Sequence, residues 1–245
     1  MSLLRRFTAE GTGSLLLAAT VIGSCVMAER LAGGNTAIAL LANTAATVAV
    51  LATLIALLGP VSGAHFNPAV SLVQALRGAV PWREAGGYAA VQVLGCCLGA
   101  MLAHALFELP LLQSSIHVRT GAAQWLAEAV ATFGLLLVVL GYRRAQDVPW
   151  MVAAWIGAAY WFTASTSFAN PAITIARSLS DTFAGIRPAD APAFIAAQLV
   201  GALLALLTAR FLFSTPGAAL GEAPSGSTDD DEDRAAISVH PGVHR

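Results

Sequence analysis

The chain has 245 residues, of which 57% are hydrophobic and only 11% are charged, and its mean hydropathy is +0.70. An ordinary soluble domain carries about 25% charged residues, so most of this chain is not built to face water. The formal net charge of −1 and the scattered arginines do not indicate a nucleic-acid partner. Neither a nucleophile–base set nor a metal-ligand spacing is visible, so we expect no enzyme, cofactor or metal site.

Long apolar runs recur along the chain and predict six membrane-spanning helices. Each run is close to the ~20 residues needed to cross the hydrocarbon core. The predicted spans lie at 9–28, 36–58, 85–107, 121–142, 149–167 and 190–213. The first is too long for the apolar core of a signal peptide, so we expect it to be retained. Two shorter apolar pieces, 67–77 and 170–180, predict half-helices.

The predicted elements form a repeat. Each half of the chain, about 8–107 and 121–213, contains three spans with a half-helix after the second. An odd number of spans inverts the second copy, so the two half-helices should enter the membrane from opposite faces. The sequence therefore predicts an all-α membrane protein with six transmembrane helices, two half-helices and an inverted repeat.

The arginines predict the orientation of the chain. Seven fall on one predicted side and four on the other, which places both termini in the cytoplasm. The seven are Arg5, Arg6, Arg77, Arg83, Arg143, Arg144 and Arg210, and the four are Arg30, Arg119, Arg177 and Arg187. Residues 214–245 are rich in Pro, Gly, Ser and acidic residues, and we expect a disordered acidic cytoplasmic tail.

A repeated tripeptide begins both half-helices: Asn67-Pro68-Ala69 and Asn170-Pro171-Ala172. Asn is a preferred N-cap and Pro is favoured at the first helical position, so each motif starts a helix sharply. Two such starts placed tip to tip would each present roughly +0.5 of a charge, opposing cations and protons. The asparagine amides could still donate hydrogen bonds to a neutral molecule. We therefore predict that both motifs line a pore.

The non-helical backbone before each motif must line a wet cavity, because lipid cannot satisfy its polar groups. Its carbonyl oxygens are predicted to face the permeating molecule. The residues concerned are Gly63, Ala64, His65, Thr166 and Phe168, and the side chain of His65 is also expected to line the pore.

With these motifs the chain resembles the major intrinsic protein family, the aquaporins and aquaglyceroporins, over roughly residues 8–213. The run Ser62-Gly-Ala-His-Phe-Asn-Pro-Ala-Val70 is nearly the first signature of that family. The resemblance implies a right-handed aquaporin-type bundle, a channel domain over 1–213, and a homotetramer in the lipid bilayer with one pore per subunit. It extends to Glu10 in the first span and Glu128 in the fourth.

Two interpretations of Glu10 and Glu128 are open. Ionisable groups inside a membrane are costly and are functional candidates by default. In a proton-coupled transporter these carboxylates would carry protons. In the aquaporin-like interpretation they accept hydrogen bonds from the pore-lining loops, and their equivalent positions in the two repeats favour this scaffold role.

The narrow outer filter of the family departs from its usual composition here. Counting from the two asparagines places four residues in it: Thr47, Ala158, Ser167 and Ile173. Most family members have Arg at the position of Ile173, and the aromatic and His side chains of water-selective members are absent as well. We therefore expect a wider, uncharged constriction that passes water and larger neutral polar solutes.

Arg177 lies four residues after Ile173, on the same helix face and ~6 Å further outward. It could act as a vestibule charge that orients polar solutes, pair with Asp181, or be solvated in the outer loop. The run Ser167–Ser178 resembles a bacterial aquaporin subgroup linked to arsenic detoxification. That resemblance suggests uncharged arsenite and methylated arsenicals as solutes and a bacterial inner membrane as the location.

The leading hypothesis is a passive channel for water and small neutral solutes such as glycerol-like polyols. A proton-coupled secondary transporter that uses Glu10 and Glu128, a water-selective channel, and a non-conducting scaffold of the same fold are the alternatives.

Overall fold

The computed structural model describes residues 1–142, 144 and 146–213; the predicted tail and Arg143 lie outside the described residues. Within them the chain forms eight α-helices. These are α1 (Leu3–Leu31), α2 (Thr36–Ser62), α3 (Pro68–Leu76), α4 (Trp82–Leu106), α5 (Ala122–Gly141), α6 (Val148–Phe162), α7 (Pro171–Ser178) and α8 (Ala191–Phe213). Their order confirms the predicted arrangement of six long helices and two half-helices, with α3 and α7 as the half-helices.

Five of the described helices are long and apolar enough to cross a membrane: α1, α2, α4, α5 and α8. The fifth predicted span, 149–167, is wrong at its end. Helix α6 has 15 residues and stops at Phe162, which gives a length of about 22 Å against a hydrocarbon core of about 30 Å. The polar run from Thr163 to Ser167 leaves the helix because the loop bonds to other elements, as described below.

The half-helices begin as the tripeptides predict. The side-chain oxygen of Asn67 accepts from the N–H of Ala69 at 2.9 Å, and that of Asn170 accepts from Ala172 at 2.9 Å. Both asparagines have extended backbone with Pro at the first helical position. Each cap satisfies amides that would otherwise lack a partner within the helix.

Helix α1 packs along α4, and α5 packs along α8, at contacts that only glycine permits. A Cβ on Gly95 or Gly99 of α4 would overlap the carbonyl oxygens of Gly11 or Leu15 of α1. In the other half of the chain, a Cβ on Gly201 of α8 would overlap the carbonyl of Ala129 in α5. Small residues allow helix backbones to approach closely in this way.

Replacing Gly201 with Ala should therefore destabilise the protein by about 1–3 kcal/mol, because the backbone carbonyl of Ala129 has no rotamer to adopt. Gly86 of α4 is the matched control, since a Cβ there meets nothing within 4 Å. Gly86→Ala should be neutral or stabilising by up to about 1 kcal/mol. Thermal unfolding of both variants in detergent measures the difference. Equal unfolding temperatures would contradict this account of the α5–α8 contact.

Candidate functional site

The tips of the two half-helices are joined by a reciprocal pair of hydrogen bonds. The amide nitrogen of Asn67 donates to the carbonyl of Ala169 at 2.7 Å, and that of Asn170 donates to the carbonyl of Phe66 at 2.8 Å. Each asparagine thus caps its own helix with its oxygen and binds the opposite loop with its nitrogen. A primary amide has two N–H donors, so one N–H of each side chain remains for a molecule between the tips.

Glu10 of α1 holds the first loop. Its fully buried carboxylate accepts from the N–H groups of His65 at 2.9 Å and Phe66 at 2.8 Å, and from the hydroxyl of Ser62 at 2.6 Å. Gln92 of α4 donates to the same carboxylate at 2.8 Å. All of these partners are donors, so the carboxylate oxygens serve here only as acceptors.

Glu128 of α5 holds the second loop in the same way. Its fully buried carboxylate accepts from Phe168 N–H at 2.8 Å, from Ala169 N–H at 2.9 Å and from the side-chain amide of Gln198 at 2.6 Å. Gln198 also donates to Thr174 of α7, as Gln92 donates to Ser71 of α3. The two halves of the chain therefore use one hydrogen-bond arrangement twice.

The loops adopt strained backbone that these bonds maintain. Ala64 and Phe66 in the first loop and Thr166, Ser167 and Ala169 in the second have positive φ values between 48° and 60°. Residues other than glycine occupy this left-handed region at a cost of order 1–3 kcal/mol each when the surroundings hold them there. The bonds to Glu10 and Glu128 are the surroundings that hold these two loops.

A cavity of about 110 Å³ lies among the helices and is lined in part by both asparagines. That volume is several times what one water molecule needs. Apolar side chains from α1, α2, α5 and α6 form much of its wall, and the polar groups lie on the loops and half-helices. Helices α1 and α5 contribute Leu17, Val21, Leu135 and Val139, and α6 contributes Val148, Val152, Ile156 and Tyr160.

Among the predicted filter residues, Thr47, Ser167 and Ile173 border this cavity. The prediction for Ala158 is wrong. Ala158 is exposed and borders a separate hollow on the outer surface of the helices, beside Trp155 and Phe213. Tyr160, and not Ala158, borders the cavity from α6, and its hydroxyl lies 3.4 Å from Thr47 Oγ1.

Tyr160 could have been found from the sequence. Val152, Ile156 and Tyr160 are spaced four residues apart and form one face of α6, which is the face that borders the cavity. Counting back from Asn170 missed this face because the count runs through seven residues of loop.

The other predicted lining groups divide into two sets. Gly63, Ala64, His65 and Phe168 border the cavity, but Thr166 does not. The Pro and Ala residues of the two motifs do not border it either. Pro68, Ala69, Pro171 and Ala172 begin the half-helices, and both alanines belong to the buried core behind the asparagines. The ring of His65 is held by Ser71 Oγ at 3.0 Å and by the edge of Tyr88.

Arg177 borders the same cavity as Ile173. The side chain is only 3% exposed. Its Nε donates to the carbonyl of Ala184, and its guanidinium lies 3.4 Å from the ring centroid of Phe168. Asp181, the alternative partner, instead accepts from the N–H of Ile116.

A second buried guanidinium stands beside the first. Arg119 donates to the carbonyls of Gly185 at 2.7 Å, Ser165 at 3.2 Å and Phe183 at 3.3 Å. It also lies 5.1 Å from the ring centroid of Phe168. The sequence placed Arg119 only among the four arginines of one predicted membrane side, because nothing local indicates that residues 107–121 fold inward to the second motif loop.

Asp190 ties the connection before α5 to the start of α8. It accepts from Arg119 N–H at 2.9 Å, Thr120 Oγ1 at 2.6 Å and Arg187 Nη2 at 2.9 Å. Burial opposes its charge, but the hydrogen bonds from Arg187, Thr120 and Arg119 outweigh burial and lower the pKa of Asp190. This tie positions Arg119 against the second motif loop, where it donates to Ser165 and lies near Phe168.

Two half-helices whose asparagine-capped tips meet at one cavity, each preceded by a loop that a buried carboxylate holds, define the class of protein. The family model for the major intrinsic proteins matches residues 1–160. The chain belongs to the major intrinsic protein family, and its fold is the aquaporin fold.

Similarity to individual proteins is extensive. Aquaglyceroporin AqpS of Rhizobium meliloti is 54% identical over 212 residues, which cover 86% of this chain and 91% of that protein. A probable glycerol uptake facilitator protein of Thermotoga maritima is 35% identical over 97 residues, covering 35% of this chain and 42% of that protein. In fold, the chain matches the X-ray structure of the aquaglyceroporin from Plasmodium falciparum with a TM-score of 0.64 and 20% identity, over 86% of this chain and 95% of that one.

The role of the buried carboxylates is tested by Glu128→Gln. The variant replaces one acceptor oxygen with a donor that faces the N–H groups of Phe168 and Ala169. An unsatisfied buried donor costs about 1–3 kcal/mol, so the unfolding temperature should fall. Glu10→Gln should behave alike, and Glu29→Gln, at an exposed end of α1, is the matched control. If Glu128→Gln unfolds at the temperature of Glu29→Gln, the scaffold role is wrong.

Proposed function

We propose that the protein is a passive membrane channel for water and small neutral solutes such as glycerol. The observation that carries this proposal is the pair of asparagine-capped helix tips that border one cavity and bind each other across it. The tips bring two positive helix ends together, which opposes the passage of cations and protons. One free N–H on each asparagine is left to replace a hydrogen bond that a solute loses on leaving water.

The buried carboxylates support a channel rather than a proton-coupled transporter. Glu10 and Glu128 accept only from N–H and O–H groups and do not border the cavity. Adding a proton to either one would break a bond to a strained loop. A carboxylate that holds the loop in this way is a poor proton carrier, because each turnover would release the helix tip that it positions.

We propose that the constriction lies among Thr47, Tyr160, Ser167 and Ile173, with Arg177 beside it. Ile173 carries an aliphatic side chain where a larger charged one would fill the lumen, so solutes larger than water should pass. The hydroxyls of Thr47 and Tyr160 offer hydrogen bonds on one side of the wall. A solute with both hydroxyl and apolar surface fits such a wall. The 54% identity to an aquaglyceroporin supports this solute class.

Uncharged arsenite and methylated arsenicals are narrower candidates within this class. As(OH)3 is neutral near pH 7 and presents hydroxyls much as glycerol does, so the same wall could bind it. The run Ser167–Ser178, which resembles a bacterial arsenic-linked subgroup, motivates this choice of solute.

We further propose that the chain is a multi-pass protein of a bacterial inner membrane, with both termini in the cytoplasm and four copies in a homotetramer. Large apolar side chains are exposed along the long helices, such as Leu57 on α2, Leu126 on α5 and Leu204 on α8. Such a surface suits lipid or neighbouring subunits. The arginine distribution supports the orientation.

Stopped-flow measurements on proteoliposomes test the channel directly. Water, glycerol and As(OH)3 permeability should each exceed that of empty liposomes, rise linearly with solute concentration and be unaffected by a proton gradient. Shrinkage no faster than that of empty liposomes would leave a non-conducting scaffold instead. Flux that saturates at low solute concentration and requires a proton gradient would show a transporter.

The constriction is tested by Ile173→Arg. The larger side chain should narrow the lumen and reduce glycerol flux about tenfold, an added barrier of ~1.4 kcal/mol, while water flux falls much less. Ala158→Phe is the control, since Ala158 faces the outer surface, and its glycerol and water flux should match the parent protein. If Ile173→Arg lowers glycerol flux and water flux equally, the proposal that Ile173 lies in the constriction is wrong.

A further inference from the structure

Two buried guanidinium groups lie close to Phe168, and one of them, Arg177, borders the cavity. Arg119 and Arg177 are both buried and lie on the ring of Phe168, near enough for their charges to repel. The carboxylate that acts on both is Glu128, and its oxygens are already bound to Phe168, Ala169 and Gln198. The C-terminal end of α7 contributes roughly −0.5 of a charge near Arg177.

The two guanidiniums differ in how they are satisfied. Arg119 donates from Nε, Nη1 and Nη2 to three backbone carbonyls. Arg177 donates only from Nε, to Ala184, and its Nη1 and Nη2 have no hydrogen-bond partner among the residues that the structure describes. Arg177 borders the cavity and is only 3% exposed. A partner for its remaining N–H donors would therefore lie in the cavity.

A second unpartnered group lies in the same wall. The hydroxyl of Ser167 is buried without a hydrogen-bond partner, and Ser167 borders the cavity next to Phe168 in sequence. Tyr160 and Thr47 add two hydroxyls that share one long contact of 3.4 Å. Buried donors of this kind are rare in folded proteins unless water or a ligand binds them.

We propose that the Nη groups of Arg177 and the hydroxyl of Ser167 form a binding site for a small monovalent anion, of the size of chloride or nitrate. A guanidinium binds anions through parallel N–H donors, and the positive charge of Arg177 attracts a negative one. The anion completes the hydrogen bonds of both residues. It occupies the outer part of the cavity beside Ile173, so a neutral solute must displace it or wait for it to leave.

This inference deepens the proposed function, since the site lies in the proposed pore. A protein that binds chloride without conducting would retain the site and lose the channel. The test therefore includes one measurement that needs no conduction and one that does.

The first measurement is thermal unfolding of the purified full-length protein in detergent as sodium chloride replaces sodium gluconate at constant ionic strength. Chloride that binds only the folded protein should raise the unfolding temperature by about 3–6 °C for each tenfold increase in chloride concentration above its dissociation constant. Arg177→Gln should lose the dependence. Arg30→Gln is the matched control, because Arg30 is exposed, donates to the carbonyl of Phe107 and does not border the cavity, and it should keep the dependence in full.

Ser167→Ala serves as a second variant, since it removes one donor and no charge. It should weaken the chloride dependence several-fold even if Arg177→Gln does not fold. An unfolding temperature of the parent protein that is the same in both salts overturns the proposal. So does a chloride effect of equal size in the parent, Ser167→Ala and Arg177→Gln proteins, which would be a general salt effect.

The second measurement is glycerol flux in proteoliposomes in the same two salts. Chloride should lower the flux of the parent protein about twofold at the concentration that half-fills the site, and should not lower that of Arg177→Gln. A rise in unfolding temperature with chloride, without glycerol flux in either salt, would support the anion site and contradict the channel function. Equal glycerol flux in both salts, together with an unfolding temperature that chloride does not change, would contradict the anion site and support the channel function.

Discussion

The structure depends on the two asparagines that join the half-helix tips. Asn67 and Asn170 each cap one helix and donate to the loop that precedes the other, at 2.7 and 2.8 Å. No other side chain of this size offers an acceptor for its own helix and two donors, of which one binds the opposite loop and one remains for a molecule between the tips. Asp would lose the donors, and Ser has too short a reach to do both. The same residue type therefore sets the start of each half-helix and the distance between them.

The asparagines can be placed in this way only because the loops before them are held by buried carboxylates. A loop of non-helical backbone within a membrane has polar groups that lipid cannot satisfy. Glu10 and Glu128 satisfy two consecutive N–H groups each and hold neighbouring residues at positive φ. The cost of burying the two charges is offset by these charge-assisted bonds and by Gln92 and Gln198. Two residues that look misplaced in apolar spans are therefore what permits a pore between them.

The parts of this architecture that local chemistry determines were predictable from sequence, and the rest was not. Apolar periodicity and the Asn-Pro starts depend on residues close in the chain, and the helices and both half-helices follow from them. The end of α6 and the conformation of the loop from Thr163 to Ala169 depend on Glu128 and Arg119, which are distant in the sequence. Counting through that loop therefore selected Ala158 instead of Tyr160. Gln92 and Gln198 could have been found, because each is a polar residue within an apolar span of its own repeat.

The position of Arg177 separates two properties that one side chain could combine. An arginine at 173 would narrow the lumen and place a positive charge there at once. Here an aliphatic side chain stands at 173, and the charge stands one helical turn away at 177, in the wall of the same cavity. The bond to Ala184 and the contact with Phe168 hold the guanidinium against the wall. We infer that the lumen is thereby left wide while the positive potential remains. Size and charge can then be selected by different residues, so a change at 173 would alter which neutral solutes pass, and a change at 177 would alter how ions are treated.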